Sequence, residues 1–220
     1  MRKALRSKQA LVLALVLARS FVGVIRVAAA DLPVDRHTVQ ITVHVSNRVH
    51  MPADKLAQTE FVTTQILQQV GVQVVWLDCT ITGANAELPP ACDRRLKQAD
   101  LLLDFVYEIR SLSPNMTEET LGFALVPGNG EQGNLAYISL QRARYAAREC
   151  ATSLEIILGL AVAHEIGHLL MGSGEHARSG VMRARWDVKD LILAAKGDLR
   201  FTDDEVKKLH DGAVARNLGK

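Results

Sequence analysis

The run SLEIILGLAVAHEIGHLLM, residues 153–171, has no polar face over its first three turns. A helix that is apolar on all sides lies in a protein core rather than on a surface. This run nevertheless ends with His164, Glu165 and His168. Burying an unpaired imidazole or carboxylate is costly, so these groups need partners inside the core. A metal ion would satisfy several of them at once, whereas a solvated helix with incidental histidines does not fit the apolar surroundings.

The spacing of these three residues favours a metal site with a built-in base. His164 and His168 are one helical turn apart, so both imidazoles can reach one ion. Glu165 is rotated about 100° from His164 around the helix, which makes it a poor ligand beside that histidine. It can instead take a proton from a water activated by the metal. The sequence therefore predicts His164 and His168 as metal ligands and Glu165 as a general base for attack on a carbonyl.

Residues 164–176, HEIGHLLMGSGEH, resemble the motif of the metzincin zinc peptidases, H-E-x-x-H-x-x-G-x-x-H, which precedes a methionine-containing turn. The family pattern would put glycine at 171 and histidine at 174, where this chain has Met171 and Gly174. Here Gly172 is displaced by one position and His176 by two. Gly172 and Gly174 can end the helix and reverse the chain. The resemblance implies a Zn²⁺ cofactor with His176 as its third protein ligand.

Met182 lies six residues after His176, where the methionine turn of a metzincin would pass beneath the metal. The resemblance implies a hydrophobic floor there rather than a ligand. Some metzincins add a tyrosine ligand two residues further on, but this chain has Ala184. Acidic residues remain as alternatives to His176 for the third ligand. They are Asp187 and Asp190, on a following helix, and the less suitable Glu175, on a loop tip.

Outside this segment, the chain alternates apolar strands with helices. Residues 37–45 alternate apolar and polar side chains, which is typical of a half-buried strand. Two buried strands are predicted over residues 72–77 and 101–109, two more strands over 121–126 and 135–140, and helices over 52–69 and from 201 onward. We expect an α/β (α+β) fold, a twisted mixed β-sheet packed with helices. The resemblance implies a metzincin-like catalytic domain with a buried active-site helix.

Two features bear on substrate contact. Of the strands 121–126 and 135–140, we expect one, in preference the first, to form an edge of the sheet. An extended substrate would add to it through main-chain hydrogen bonds, although 121–126 could equally be an ordinary core strand. Arg183 and Arg185 would line a pocket in a metzincin and could favour acidic substrate side chains there; solvated surface arginines are the alternative.

The N-terminus has the layout of a secretory signal. A basic segment, MRKALRSKQ, precedes the apolar ALVLALVLA, and VAAA ends at Ala30 as a cleavage site. We expect a signal peptide at 1–30, a single zinc-dependent catalytic domain at 31–220, and a secreted or periplasmic location without stable membrane insertion after cleavage. An uncleaved N-terminal anchor is the alternative. Without residues 1–30, 20 basic residues face 24 acidic ones, a formal charge of −4, which gives no support for nucleic-acid binding.

Three cysteines occur in the chain. Cys79 and Cys92 flank TITGANAELPPA, a loop with glycine and proline, and in an exported protein this pair is expected to form a disulfide. Cys150 is left over, and we expect it to be a buried small hydrophobic residue.

These features together favour a secreted zinc-dependent endopeptidase that acts on protein or peptide substrates. His164, His168 and His176 would bind zinc, and Glu165 would be the base. One alternative is a non-catalytic zinc-stabilised binding module, which would keep the histidines but tolerate loss of Glu165. The other is a metal-dependent three-histidine ribonuclease, which the export signal and Glu165 both disfavour.

Overall fold

The computed structural model describes residues 38–81, 83, 87–109, 120–128 and 132–219. The expected signal peptide, residues 1–30, lies outside the described residues. Its cleavage, the domain boundary at residue 30 and the export of the chain therefore stay predictions.

The strands form one mixed sheet. They are β1 (Val39–Asn47), β2 (Val72–Asp78), β3 (Asp100–Val106), β4 (Gly122–Ala124) and β5 (Leu135–Ser139). Within the described residues the order across the sheet is β2-β1-β3-β5-β4. β4 pairs antiparallel with β5, and the other neighbours are parallel. With helices packed on this sheet, the predicted fold class is confirmed. The expectation of an edge at residues 121–126 is also confirmed, because β4 ends the order.

The helices begin and end at residues that suit those positions. They are α1 (Ala53–Gln68), α2 (Leu140–Glu149), α3 (Leu154–Met171), α4 (Val188–Ala195) and α5 (Asp203–Leu218). Ser153 caps the start of α3, since its side chain accepts from the N–H of Ile156, and Gly172 ends it with a φ of 63°. Thr202 and Glu205 form a capping box at the start of α5.

α3 lies in the centre of the core, as its apolar sequence predicts. Every residue from Ile157 to Leu170 is buried. The helix approaches α1 so closely that a Cβ added at Gly159 would lie 2.6 Å from the Cβ of Val62. α3 is long and apolar enough to cross a bilayer by composition, but 83% of that stretch is buried within the protein.

The prediction that residues 72–77 form a buried strand is wrong. β2 lies at the other end of the sheet from β4 and pairs, within the described residues, with β1 alone. Val72 is buried, whereas Val75 is 36% exposed. On the side facing α1, the indole Nε1 of Trp76 donates to Oγ1 of Thr64 at 3.0 Å. A run of valines has the same sequence pattern on a half-covered edge strand as in the interior of a sheet, so the pattern alone does not separate the two.

The structure contains the expected disulfide between Cys79 and Cys92. The prediction for Cys150 is wrong in its degree of burial. Cys150 is a free cysteine of intermediate exposure at the C-cap of α2. Its side chain is partly exposed because the helix ends there and Cys150 lines a pocket.

Candidate metal centre

Three histidines meet at the C-terminal half of α3. His164 and His168 project from the helix, and His176 returns from the loop that follows Gly172. Each offers one ring nitrogen, and these atoms all lie within 4.8 Å of one another. The ring centroids are 4.6 Å apart for His164 and His168, 5.2 Å for His164 and His176, and 4.9 Å for His168 and His176. The structure thus brings together the three histidines that the sequence singles out.

Hydrogen bonds to backbone carbonyls orient the two helical imidazoles. Nδ1 of His164 lies 2.8 Å from the carbonyl oxygen of Val181, and Nδ1 of His168 lies 2.7 Å from that of Ser173. Because a carbonyl oxygen only accepts, Nδ1 is the protonated nitrogen in each ring. The two Nε2 atoms, 3.0 Å apart, then point lone pairs at each other when both rings are neutral.

Burial keeps these rings neutral. Burial, together with the nearby His168, lowers the pKa of His164 to about 3. Burial likewise lowers the pKa of His168. Two opposed lone pairs in a buried site repel each other, and a cation placed between them removes the repulsion.

This donor set fits zinc. Two nitrogens bound to one tetrahedral Zn²⁺ at about 2.0–2.1 Å would be roughly 3.3 Å apart, close to the spacing of the two Nε2 atoms. A carbonyl or carboxylate that holds the second ring nitrogen is the usual support of a zinc-binding histidine. His176, which is exposed, would complete three imidazole ligands and leave a fourth position open.

The turn after His176 packs beneath the helix. Ala177 donates its N–H to the carbonyl of Met182 at 2.8 Å, which closes the turn. Met182 is fully buried, and a Cβ added at Gly167 of α3 would lie 2.6 Å from its sulfur. Met182 therefore lies against α3 next to the histidines, where the sequence predicts a hydrophobic floor.

Glu165 connects α3 to the edge strand β4. A Cβ added at Gly122 would lie 2.9 Å from both Cγ and Oε1 of Glu165, so the carboxylate reaches its position only because residue 122 has no side chain. Burial raises the pKa of Glu165 to about 8, and a hydrogen bond from the backbone of Ala124 opposes that rise. Burial alone therefore favours the protonated carboxyl, and a cation held by the neighbouring histidines would favour the carboxylate that a general base needs.

The acidic alternatives for the third ligand are engaged elsewhere. Asp187 caps the start of α4, and its capping box with Asp190 is complete. Nη1 of Arg183 lies 2.8 Å from Asp187 and 2.5 Å from Asp190. Glu175 is exposed on the loop, with its N–H donating to the hydroxyl of Ser173. Within the described residues, none of these acids belongs to the ligand group of the three histidines.

A pocket of about 500 Å³ opens beside the histidines and Glu165. Ile157, Ala161 and Leu191 give it apolar walls. Arg183 and Arg185, expected on sequence grounds to line a pocket, do lie in its wall. Residues that the sequence did not single out also contribute, among them Arg142, Tyr145 and Glu149 of α2.

Two further site residues were missed from the sequence. Trp186 donates from its indole N–H to Val181, the same carbonyl that orients His164, at 3.1 Å. Gly122, against which Glu165 packs, is the other. A glycine at the start of a strand often marks a close approach of another group, and that signal could have found it.

No family model matches this chain, and no curated protein matches it. Among solved structures, it is similar to a zinc-dependent peptidase from Methanocorpusculum labreanum, with 14% identity, a TM-score of 0.48, and coverage of 76% of this chain and 99% of that one. It is similar to archaemetzincin from Methanopyrus kandleri, with 16% identity, a TM-score of 0.47, and coverage of 79% and 95%. It is also similar to metalloproteinase-II from Bacteroides fragilis, with 13% identity, a TM-score of 0.46, and coverage of 80% and 53%. At these identities and TM-scores, the likenesses assign this chain neither a family nor an activity.

Proposed function

We propose that this protein is an exported, zinc-dependent endopeptidase of metzincin type. The observation that carries the proposal is the meeting of the imidazoles of His164 and His168. Both are fixed by carbonyls at Nδ1 and face each other at Nε2, with His176 alongside. Export rests on the sequence of residues 1–30 alone.

The three histidines would hold Zn²⁺. When bound, zinc supplies a Lewis acid that polarises a peptide carbonyl and makes water acidic near neutral pH. Val181 and Ser173 keep the rings of His164 and His168 in the tautomer that leaves Nε2 free for the metal.

Glu165 would act as the general base. Its carboxylate lines the same pocket as His164 and His176, so it faces the space that a substrate and a water would enter. It would accept the proton of the attacking water and pass it on to the leaving amine, because the amine needs a proton to depart. Gly122 and the backbone of Ala124 position that carboxylate.

The edge strand β4 would bind the substrate backbone. A strand that ends a sheet has peptide groups with which an extended peptide can pair. β4 is also the strand that contacts Glu165, so a peptide laid along it would have its backbone beside the base and the metal ligands.

The pocket beside the site would receive a substrate side chain. Its depth is apolar, and the charge of Arg183 at its wall is offset by Asp187 and Asp190. We therefore propose preference for a large apolar side chain rather than the acidic one that Arg183 and Arg185 suggest from sequence. Burial of such a side chain contributes about 1.5–3 kcal/mol to binding.

The test is cleavage of unfolded protein and of a peptide library by the purified, zinc-loaded protein. A chelator should abolish cleavage, and added Zn²⁺ should restore it. A Glu165→Gln variant should keep its zinc and lose roughly 10²–10⁴-fold in rate. A zinc-loaded wild type that is inert to broad libraries would contradict the proposal, and with zinc retained it would point to a binding module.

A further inference from the structure

A second group of metal-ligand residues lies apart from the histidines of α3. His44, Cys79 and Cys92 offer one ligand atom each, and these atoms lie within 4.8 Å of one another. Val43 and Val45 flank His44 in β1 and are fully buried in the core, so the side chain of His44 points to the opposite face of the sheet. Cys79 directly follows β2, and its N–H donates to the carbonyl of Val45 at 2.7 Å.

His44 is buried between a carboxylate and a cysteine sulfur. It is only 3% exposed. Its Nε2 lies 3.4 Å from Oδ2 of Asp100, and its Nδ1 lies 3.5 Å from Sγ of Cys79. Asp100 is itself buried, and the same oxygen accepts from the N–H of Lys97 at 3.0 Å. A proton on Nε2 would face Asp100 and leave the Nδ1 lone pair directed at the sulfur. In metal sites, a carboxylate beside one ring nitrogen of a histidine orients the other nitrogen toward the metal in the same way.

The imidazole has only weak partners while the cysteines are oxidised, because its Nδ1, 3.5 Å from Sγ of Cys79, can at most donate to that poorly accepting sulfur. A disulfide sulfur has no proton to donate to Nδ1. Among the described residues, Nε2 has no partner that meets hydrogen-bond geometry, although Asp100 is near. A buried polar atom in this condition is costly, and in a folded protein it calls for a ligand or a change of state that satisfies it.

We propose that His44, Cys79 and Cys92 form a second, redox-dependent site for a thiophilic divalent cation such as Zn²⁺. The disulfide closes the site, and its reduction opens it. When a dithiol reduces the bond, two electrons pass to the two sulfurs, each sulfur takes up one proton, and the dithiol becomes a disulfide. Binding of the cation releases the two thiol protons, since the thiolates and the neutral imidazole are the ligands.

The surroundings allow the two sulfurs to separate. Cys79 is anchored to β1 through its N–H. Cys92 lies in the segment between β2 and β3, and its neighbours Ala91 and Asp93 are exposed. The N–H of Cys92 bonds only within its own loop, to the carbonyl of Pro89 at 2.7 Å, so we expect Cys92 rather than Cys79 to move when the bond opens.

Cobalt(II) is the probe that tests this site in the purified protein. Thiolate ligands give a sulfur-to-cobalt charge-transfer absorption in the near ultraviolet, and histidine ligands do not. The oxidised protein should show no such absorption. After reduction with a phosphine, which takes its oxygen from water, the absorption should appear and saturate at one thiolate-bound cobalt per chain, and Zn²⁺ should displace it. In a Cys150→Ser background only the thiolates of Cys79 and Cys92 can give this signal, so cobalt bound by the histidines of α3 does not contribute to it.

Variants distinguish the proposed cobalt ligands from the neighbouring residue Asp100 and from the unrelated cysteine Cys150. Cys79→Ser and Cys92→Ser should each remove the absorption, and Cys150→Ser, the matched control, should keep it. Asp100→Asn should keep the absorption but weaken cobalt binding roughly 10–100-fold. Absence of the absorption in reduced, folded wild type would overturn the proposal, and so would its persistence in Cys92→Ser. Unfolding on reduction that Zn²⁺ does not prevent would overturn it as well.

Discussion

The candidate metal centre has two parts. One is a helix that is fixed in the core, and the other is a loop that is held in place by turns. On the helix side, the last carbonyls of α3 are held by distant side chains. Nη2 of Arg216 donates to the carbonyl of Leu169 at 3.0 Å, and Nε2 of Gln132 donates to that of Leu170 at 2.9 Å. His164 and His168 are therefore carried on a buried, fully bonded segment.

On the loop side, backbone hydrogen bonds close the turns but leave the histidine itself exposed. His176 is exposed and follows the left-handed turn at Gly172. Its neighbour Ala177 is tied to Met182, and Gly180 adopts a φ of 80° where the carbonyl of Arg200 passes. The difference teaches that the helix would present two ligands in a fixed geometry, while the third would adjust to them. Two residues of extra loop are tolerable for that reason.

The largest expected effect comes from removing a ligand. His164→Ala, His168→Ala and His176→Ala should each weaken zinc binding by several kcal/mol, on the order of a third of the total for a three-ligand site, or roughly 10³-fold. His176→Ala should leave the Tm of the metal-free protein unchanged, because the ring is exposed. Zinc titration against a competing chelator and thermal unfolding measure both. Glu175→Ala is the control on the same loop. Full zinc affinity in His176→Ala would show that the loop supplies no histidine ligand.

The next largest effect is expected from disturbing the contact between Met182 of the loop and Gly167 of α3. Met182→Ala should lower the free energy of unfolding by about 3 kcal/mol, because it empties a fully buried position against Gly167. Met182→Leu, similar in volume, should cost less than about 1.5 kcal/mol and leave zinc affinity unchanged. Denaturant unfolding and zinc titration test the pair. Loss of zinc in Met182→Leu would show that the Met182 sulfur is a zinc ligand, which would contradict its role as a hydrophobic floor under the site.

Gly122→Ala should affect the base and not the metal. The new methyl group would lie 2.9 Å from the side chain of Glu165 and displace it, and a misplacement of about 1 Å costs on the order of 10²-fold in rate. Zinc affinity should stay at the wild-type value. Gly128→Ala is the matched control, since a Cβ there would meet nothing within 4 Å. An unchanged cleavage rate in Gly122→Ala would mean that Glu165 is not held by β4.

The smallest effect is expected at Asp187. Hydrogen bonding to Arg183 and to the start of α4 lowers the pKa of its carboxyl. A group with a lowered pKa stabilises the fold above its unfolded-state pKa, and that contribution is lost as the pH falls through the folded-state value. Asp187→Ala should therefore lower the Tm slightly at neutral pH, with the difference vanishing in acid, and should leave zinc affinity unchanged. Reduced zinc affinity in Asp187→Ala would instead indicate that Asp187, and not His176, is the third zinc ligand.

The features that the sequence predicts well are those that local chemistry decides. The burial of α3 follows from the absence of a polar face, and the meeting of His164 and His168 follows from the helical repeat. The capping box at Thr202 and the disulfide between Cys79 and Cys92 also follow from short patterns.

What sequence reasoning missed depends on topology. The position of β2 at an edge depends on which strands pair, and the run of valines carries no such information. The contact between Gly122 and Glu165 joins residues far apart in the chain, so it exists only once β4 lies beside α3. The pairing of Asp187 and Asp190 with Arg183, which argues against either as a ligand, is likewise visible only in the folded chain.

The most direct test of three imidazoles around one zinc is X-ray absorption at the zinc edge, measured on the oxidised, zinc-loaded protein. The account predicts three imidazole nitrogens at about 2.0–2.1 Å and one further light atom, with one imidazole fewer in His176→Ala. Two imidazoles with a carboxylate, or an imidazole count that does not change in His176→Ala, would contradict it.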